Sequence, residues 1–319
     1  MEFIKMKLRT TEKPNIAVVG GACSQVSFTT PGFPAPGDTL HSSPSVNGPG
    51  GRAISIATGL SALECRVFFL SAVGVDQQGV RLLAALKERR INVDYVERLE
   101  HAATETMCAL KDTEGNAARV VPGGAVSNMS RSPLFLSRAM ISSCQLMVLL
   151  PDIPEDTFRF ALEMARYYRV PTAAAATPPN RMPAKLIPWV DMLIVNQSEA
   201  RALTRVDANS LEGANEALNF LLKRGAGSVV LYLGRNGAAA SADVGGTFYV
   251  PAPKCAHPYT PVAEDAFAAG LAAALTLNAQ LAEAVTFAVG CAAATAAKQG
   301  AEEPVTYADV HRVMEIGKR

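Results

Sequence analysis

The stretch YTPVAEDAFAAGL at 259–271 places two carboxylates, Glu264 and Asp265, at what reads as the mouth of a helix. A helix N-terminus gathers unpaired backbone N–H groups and favours an anion there. Asp265 fits either a helix cap, where Asp is favoured, or an active-site carboxylate, and one residue can do both jobs. Glu264 works against the anion. A like charge about 4 Å away costs on the order of 4 kcal/mol at an effective dielectric of 20. Placed wholly on a transition state, that is nearly a thousandfold in rate. The cost falls if Glu264 points outward or meets a cation, for which Lys254 and Lys298 stand as candidates.

Other residues carry chemistry by type and spacing. Asn196 and Glu199 in VNQSEARALT are three apart and share a helix face. They read as a strand-end amide and a surface carboxylate, or as a working pair. Gly50-Gly51 and the pair Gly234 and Gly237 read as turn glycines, or as places where backbone approaches a ligand closely. Asp152 reads equally as a loop acid or a ligand contact.

These residues need a frame. NIAVVG (15–20), VFFLSAVG (67–74), QLMVLL (145–150), PTAAAA (171–176), MLIVN (192–196) and SVVLYLG (228–234) are continuous apolar runs, expected of parallel strands covered on both faces. Helical patterns at 52–63, 78–90, 155–168, 197–204 and 211–224 lie between them, which predicts an α/β doubly wound, mostly parallel sheet with helices on both faces. Two segments break the alternation: 37–51 is extended and turn-rich, and 106–121 reads as a hairpin around Thr113-Glu114-Gly115. Together they predict a small antiparallel β lid, from segments of about 37–50 and 105–122, over the strand ends. A further hairpin is expected at 241–250, and two Ala-rich helices over 265–298, with small side chains that allow close packing. No repeat or linker divides the chain, so one domain is expected over 1–319.

Composition narrows the function. The 319 residues are 49% hydrophobic and carry a formal charge of +1, so nucleic acid or an anionic membrane is not favoured as a partner. The six cysteines are far apart with no CxxC and are expected to be reduced thiols. The four histidines are scattered, so no zinc-type cluster of direct metal ligands is expected. The N-terminal stretch has no sustained apolar region of a secretory signal, and no run spans a bilayer, so a cytoplasmic protein is expected. A P-loop, a GxGxxG after the first strand, a GxSxG elbow and HExxH are all absent.

The segments that remain, taken in order, resemble the ribokinase-like (PfkB family) sugar and nucleoside kinases from about residue 15 to about 315. FPAPGDTL (33–40), GPGGRAISIATGLSAL (48–63), VGVDQQG (73–79), VNQSEARALT (195–204), LYLGRNGA (231–238) and TPVAEDAFAAGL (260–271) carry the likeness. The resemblance implies a ribokinase-like fold and ATP-dependent phosphorylation of a hydroxymethyl group on a small sugar-like or nucleoside-like acceptor. Asp265 would take the hydroxyl proton, and the backbone of Ala263, Glu264 and Asp265 would form an anion hole. Asn196, Gly234, Asn236 and Gly237 would meet the nucleotide, and Asn196 with Glu199 would organise magnesium. Cys23, Gln25, Gly50, Gly51, Arg52, Ser55 and Asp152 would surround the acceptor. Homodimerisation through the lid is a further implication.

The departures from the pattern cluster at two places. Cys23, Gln25 and Ser55 stand where the family has polar sugar contacts, which argues against ribose itself. Tyr259 stands in place of an Asp that helps hold potassium in many relatives, so no potassium activation by that route is expected. Glu264 replaces a glycine, and TAAAATPPN (172–180) lacks a polar residue at the strand end. Two readings follow: an active kinase with an unusual acceptor, or a catalytically degenerate relative that binds a ligand or partner without phosphoryl transfer.

Overall fold

The apolar run Asn15–Val19 sends Ile16 and Val18 into one core and Ala17 and Val19 into another. A strand covered on both faces has no polar side to show, which is why these runs read as continuous rather than alternating. The computed structural model describes residues 13–113, 117–253, 261–298 and 303–316. Its strands are β1 (Asn15–Val19), β2 (Cys23–Thr30), β3 (Val46–Gly50), β4 (Arg66–Leu70), β5 (Ala72–Gly74), β6 (Glu97–Leu99), β7 (Glu105–Asp112), β8 (Ala117–Val120), β9 (Leu146–Leu149), β10 (Thr172–Ala175), β11 (Met192–Asn196), β12 (Ser228–Tyr232), β13 (Ala238–Ser241) and β14 (Phe248–Val250). Its helices are α1 (Arg52–Ala62), α2 (Gln77–Glu88), α3 (Ser132–Leu136), α4 (Arg138–Ile141), α5 (Glu155–Tyr168), α6 (Gln197–Thr204), α7 (Leu211–Lys223), α8 (Pro261–Leu275), α9 (Leu281–Ala297) and α10 (Tyr307–Ile316).

The main sheet runs β14-β13-β12-β11-β10-β9-β1-β4. From β12 to β4 every pairing is parallel; β13 and β14 close the far edge as an antiparallel meander. Helices α1, α2, α8, α9 and α10 pack on the face of Ile16 and Val18, and α3 to α7 on the other. The strand order turns back at β1, which lies between β4 and β9, and a crevice at the carboxyl ends of such strands is where ligands bind in open α/β sheets. Small residues let α8 and α9 pack closely, as expected: a Cβ at Gly270 would stand 2.6 Å from Cys291 Sγ.

The lid differs from the sequence expectation in two ways. Its order is β3-β2-β7-β8, and the strand that joins its halves is β2, which the sequence reading left unassigned. β2 pairs antiparallel with β3 but parallel with β7, so the lid is a mixed sheet rather than a purely antiparallel one. Only Val46–Gly50 of the segment at 37–50 is strand. The 67–74 run also divides: β4 stays in the main sheet, and β5 leaves it to pair with β6. The tip of the 106–121 hairpin, from Glu114, lies outside the described residues. Among the described residues no disulfide forms, and no helix is long and apolar enough to cross a membrane.

Candidate active site

At the carboxyl end of β11, Asn196 caps α6. Its Oδ1 accepts the Glu199 N–H at 2.8 Å, and Glu199 Oε2 accepts the Asn196 N–H at 2.9 Å. This reciprocal box satisfies two donors that the helix start would otherwise leave open. The pair expected to share a helix face is thus a capping box, with Glu199 only 2% exposed rather than on the surface. The Asn196 side chain still has its amide to give, and Nδ2 donates to Glu264 Oε1 at 2.9 Å.

From the opposite side, α1 brings its first residue. Gly51 caps this helix at φ 98°, a left-handed conformation that side chains rarely adopt, and the turn aims Arg52 across the crevice. Arg52 Nη1 donates to Glu199 Oε1 at 2.8 Å, Nη2 pairs with Glu264 Oε1, and Nε lies 3.0 Å from Asp265 Oδ1. Thr177, just past β10, accepts from Arg52 Nη1 and donates to Glu199 Oε1. One planar guanidinium therefore joins three carboxylates from α6 and α8, geometry for which Arg suits and Lys does not.

The electrostatics follow from that count. Burial pushes the Asp265 carboxyl up to about 7, the Glu264 charge adds to the rise, and Arg52 and Ser55 pull the other way. Glu264 is raised as well, by burial first and then by Glu199, with Arg52 opposing. Arg52 is held above its ordinary value because its three carboxylate neighbours outweigh the cost of burial. The repulsion expected from Glu264 is thus met by a cation, but the cation is Arg52. Lys298 instead pairs with Asp309 at 2.9 Å, and Lys254 lies outside the described residues, as does Tyr259.

Asp265 also lines a cavity of about 330 Å³ between the lid, α1 and α8. Gln25, Ser27 and Thr29 on β2, Gly48 and Gly50 on β3, and Ile54, Ser55 and Thr58 on α1 form much of its wall. Gln25, Gly50, Ser55 and Asp265 are therefore brought together as expected. Arg52, expected at the acceptor, is not on this wall and faces the carboxylates instead. Cys23, Gly51 and Asp152 gather at the inner end of the lid: a Cβ at Gly51 would meet Cys23 Sγ at 3.4 Å, and Asp152 Oδ1 accepts the Gly21 N–H at 2.9 Å. Burial lifts Asp152 to about 6. The Cys23 thiol is pushed up to about 12, by burial and then by Glu105 and Asp152, so it stays protonated.

On the other side of the carboxylates, β12 lies next to β11 with Tyr232 beside Asn196, and the Gly234–Asn236 turn follows. A Cβ at Gly234 would meet nothing within 4 Å, so this backbone faces open space. Gly237 has a different reason: a Cβ there would stand 2.0 Å from the Val250 carbonyl, a packing demand of β14. Asn236 is tied back through its carbonyl, which accepts from the Tyr249 hydroxyl.

Two expectations at the anion hole change. α8 already begins at Pro261, so Asp265 is the helix's fifth residue and not its cap. In i→i−4 geometry its N–H faces the Pro261 carbonyl, and the open donors of the first turn fall at Val262 and Ala263. Thr177 also supplies the polar group that the strand end was read as lacking. Sequence reasoning missed Thr177, whose only signal was a hydroxyl placed before Pro178-Pro179 at the end of an apolar run.

Comparison with known proteins agrees with this fold. The family model "pfkB family carbohydrate kinase" matches residues 13–307. The chain is 26% identical over 300 residues to a ribokinase of Schizosaccharomyces pombe, covering 91% of this chain and 94% of that one. It is 22% identical over 292 residues to a ribokinase of Staphylococcus aureus, covering 91% and 96%. In fold it is similar to the Arabidopsis thaliana ribokinase complexed with ribose and ATP (TM-score 0.83, 21% identity, 95% of this chain and 99% of that one). It is similar also to a Cryptococcus neoformans ribokinase in complex with ADP (TM-score 0.77, 17% identity, 94% and 99%). With the family model spanning nearly the whole chain and the carboxylates gathered at the crevice of the parallel sheet, the chain belongs to the pfkB family of carbohydrate kinases.

Proposed function

We propose that this protein transfers the γ-phosphoryl group of ATP to a hydroxymethyl group of a small sugar-like or nucleoside-like acceptor, with Asp265 as general base. The observation that carries this reading is the place of Asp265. It is buried on the wall of the lid cavity, and its carboxyl is raised to about 7, where a base both accepts a proton readily and is available to do so. The acceptor lies under β2 and β3 with its hydroxyl at Asp265. The Val262 and Ala263 N–H groups and the Arg52 guanidinium face the transferred group, and the open backbone at Gly234 lies on the nucleotide side. Such transfer depends on positioning and charge stabilisation rather than on covalent chemistry with the protein. Cys23 and Gln25 supply a protonated thiol and an amide already donating to Ser27 Oγ at 2.6 Å, which supports an acceptor other than ribose.

Magnesium, which the family implies, does not fit the Asn196–Glu199 pair as a protein-held ion. Both Glu199 oxygens are already engaged, by the Asn196 N–H and by Arg52 with Thr177. Among the described residues no cluster of three His, Cys, Asp or Glu side chains could hold a metal.

The test is ADP formation by the purified chain with ATP across a panel of sugars and nucleosides. Asp265→Asn is expected to lower kcat by about a hundredfold or more; turnover unaffected by that change excludes Asp265 as the base. The second reading, a relative that binds without transfer, is favoured by the ion pairs of Arg52 to all three carboxylates. Phosphorylation of any acceptor, lost in Asp265→Ala, sinks that reading.

A further inference from the structure

Two donors from different elements converge on a single oxygen of Glu264: Arg52 Nη2 from the start of α1 and Asn196 Nδ2 from the end of β11, the latter at 2.9 Å. A cation and an amide aimed at one oxygen form a receptor for an oxyanion. The oxygen they hold belongs to the protein's own side chain in the first turn of α8, a helix N-terminus that favours anions. We infer that Glu264 is a resident stand-in for a phosphoryl oxygen, and that a phosphate-bearing ligand binds by displacing the Glu264 carboxylate from Arg52 and Asn196. The inference rests on the reading above that a nucleotide phosphate reaches this crevice.

Two features favour displacement over a fixed structural pair. Breaking a buried ion pair is costly chiefly because it strands the partner charge. Here Arg52 keeps Glu199 Oε1 at 2.8 Å and Asp265 Oδ1 at 3.0 Å after Glu264 leaves, so the cation is not stranded. Glu264 is also the most accessible of the three carboxylates, with its side chain 16% exposed against 13% for Asp265 and 3% for Glu199. The exchange swaps one anion for another on the same two donors, so Glu264 and the phosphate do not occupy them together.

The exchange makes anion affinity lower than the donors alone would give, because each binding event must displace Glu264. Glu264→Gln keeps the shape and removes the competitor's charge. Calorimetric titration of the purified chain with ATP, and separately with inorganic phosphate, reads the effect. Affinity is expected to rise about tenfold or more in Glu264→Gln, within the usual range of coupling between sites. The gain is expected to vanish in the double variant Arg52→Gln/Glu264→Gln. Equal ATP affinity in the wild type and Glu264→Gln overturns the inference and leaves the kinase reading standing. No ATP binding by either protein overturns both. If Glu264→Gln does not fold, the wild-type chain carries the test by nitrogen-15 spectra of its arginine side chains. The Arg52 guanidinium signals move on adding ATP if phosphate replaces Glu264, and unmoved signals with ATP bound overturn the inference.

Discussion

Asp265 joins two demands on a single carboxyl: burial, which resists its charge, and Arg52 at 3.0 Å, which supports it. Burial wins, and the folded-state value of about 7 stands above the ordinary value of 3.8. The folded chain therefore holds more protons than the unfolded chain between about pH 4 and pH 7, and stability falls as pH rises through that window. Above it, the cost of ionising Asp265 in place is fully present. Asp265→Asn removes that cost, so thermal unfolding followed from pH 4 to pH 8 is expected to show a gain near pH 8, on the order of 4 kcal/mol, and none near pH 4. A gain of equal size at both ends would mean that the carboxyl does not titrate in this window. With Asp265 as the proposed base, kcat/KM is expected to fall as pH drops below about 7, as the carboxyl takes up its proton.

Elements place these residues by their ends. Arg52 reaches the carboxylates because it is the first residue of α1 and because Gly51 turns the chain at φ 98°. Gly51→Ala is expected to destabilise the fold by about 1–3 kcal/mol, since an L side chain is strained at that angle. Denaturant unfolding checks this, and activity should fall with it because Arg52 moves. The capping box of Asn196 and Glu199 works in the same way: it fixes the α6 start, and only then is Asn196 Nδ2 left over for Glu264. Helix spacing at 197–204 was legible from sequence and is found at those residues. β2 was not. The sequence CSQVSFTT has no strong alternation, and it becomes a strand because β3 and β7 pair with it on either side.

At the scale of the molecule, a doubly wound sheet brings the ends of β1, β9, β10, β11 and β12 to one crevice, and the lid roofs the cavity that Asp265 lines. The lid's outer strands remain edges, with Val46 on β3 and Val120 on β8 exposed at 54% and 67%. Exposed apolar edges of this kind invite pairing with another copy. Sedimentation is expected to show a dimer that Val46→Lys weakens, and a strictly monomeric wild type would remove the lid as a dimer surface.

The sheet, its two covered faces and the helices between strands were determined by the sequence alone, because burial on both faces writes itself as continuous apolar runs in local order. The placing of Asn196 and Glu199 at one helix start, and of Gly51 just ahead of α1, was legible too, because those spacings act within a few residues. Only the tertiary structure decided what Glu264 means. Its partner Arg52 lies on another helix, and the guanidinium's other contacts, Thr177 and Glu199, lie 125 and 147 residues from it along the chain. An ion pair depends on distance in space and on the phase of each helix at its mouth, and neither is written in the spacing of residues so far apart. The fold thus turns a carboxylate that reads as one charge too many into one of three carboxylates sharing a single buried guanidinium.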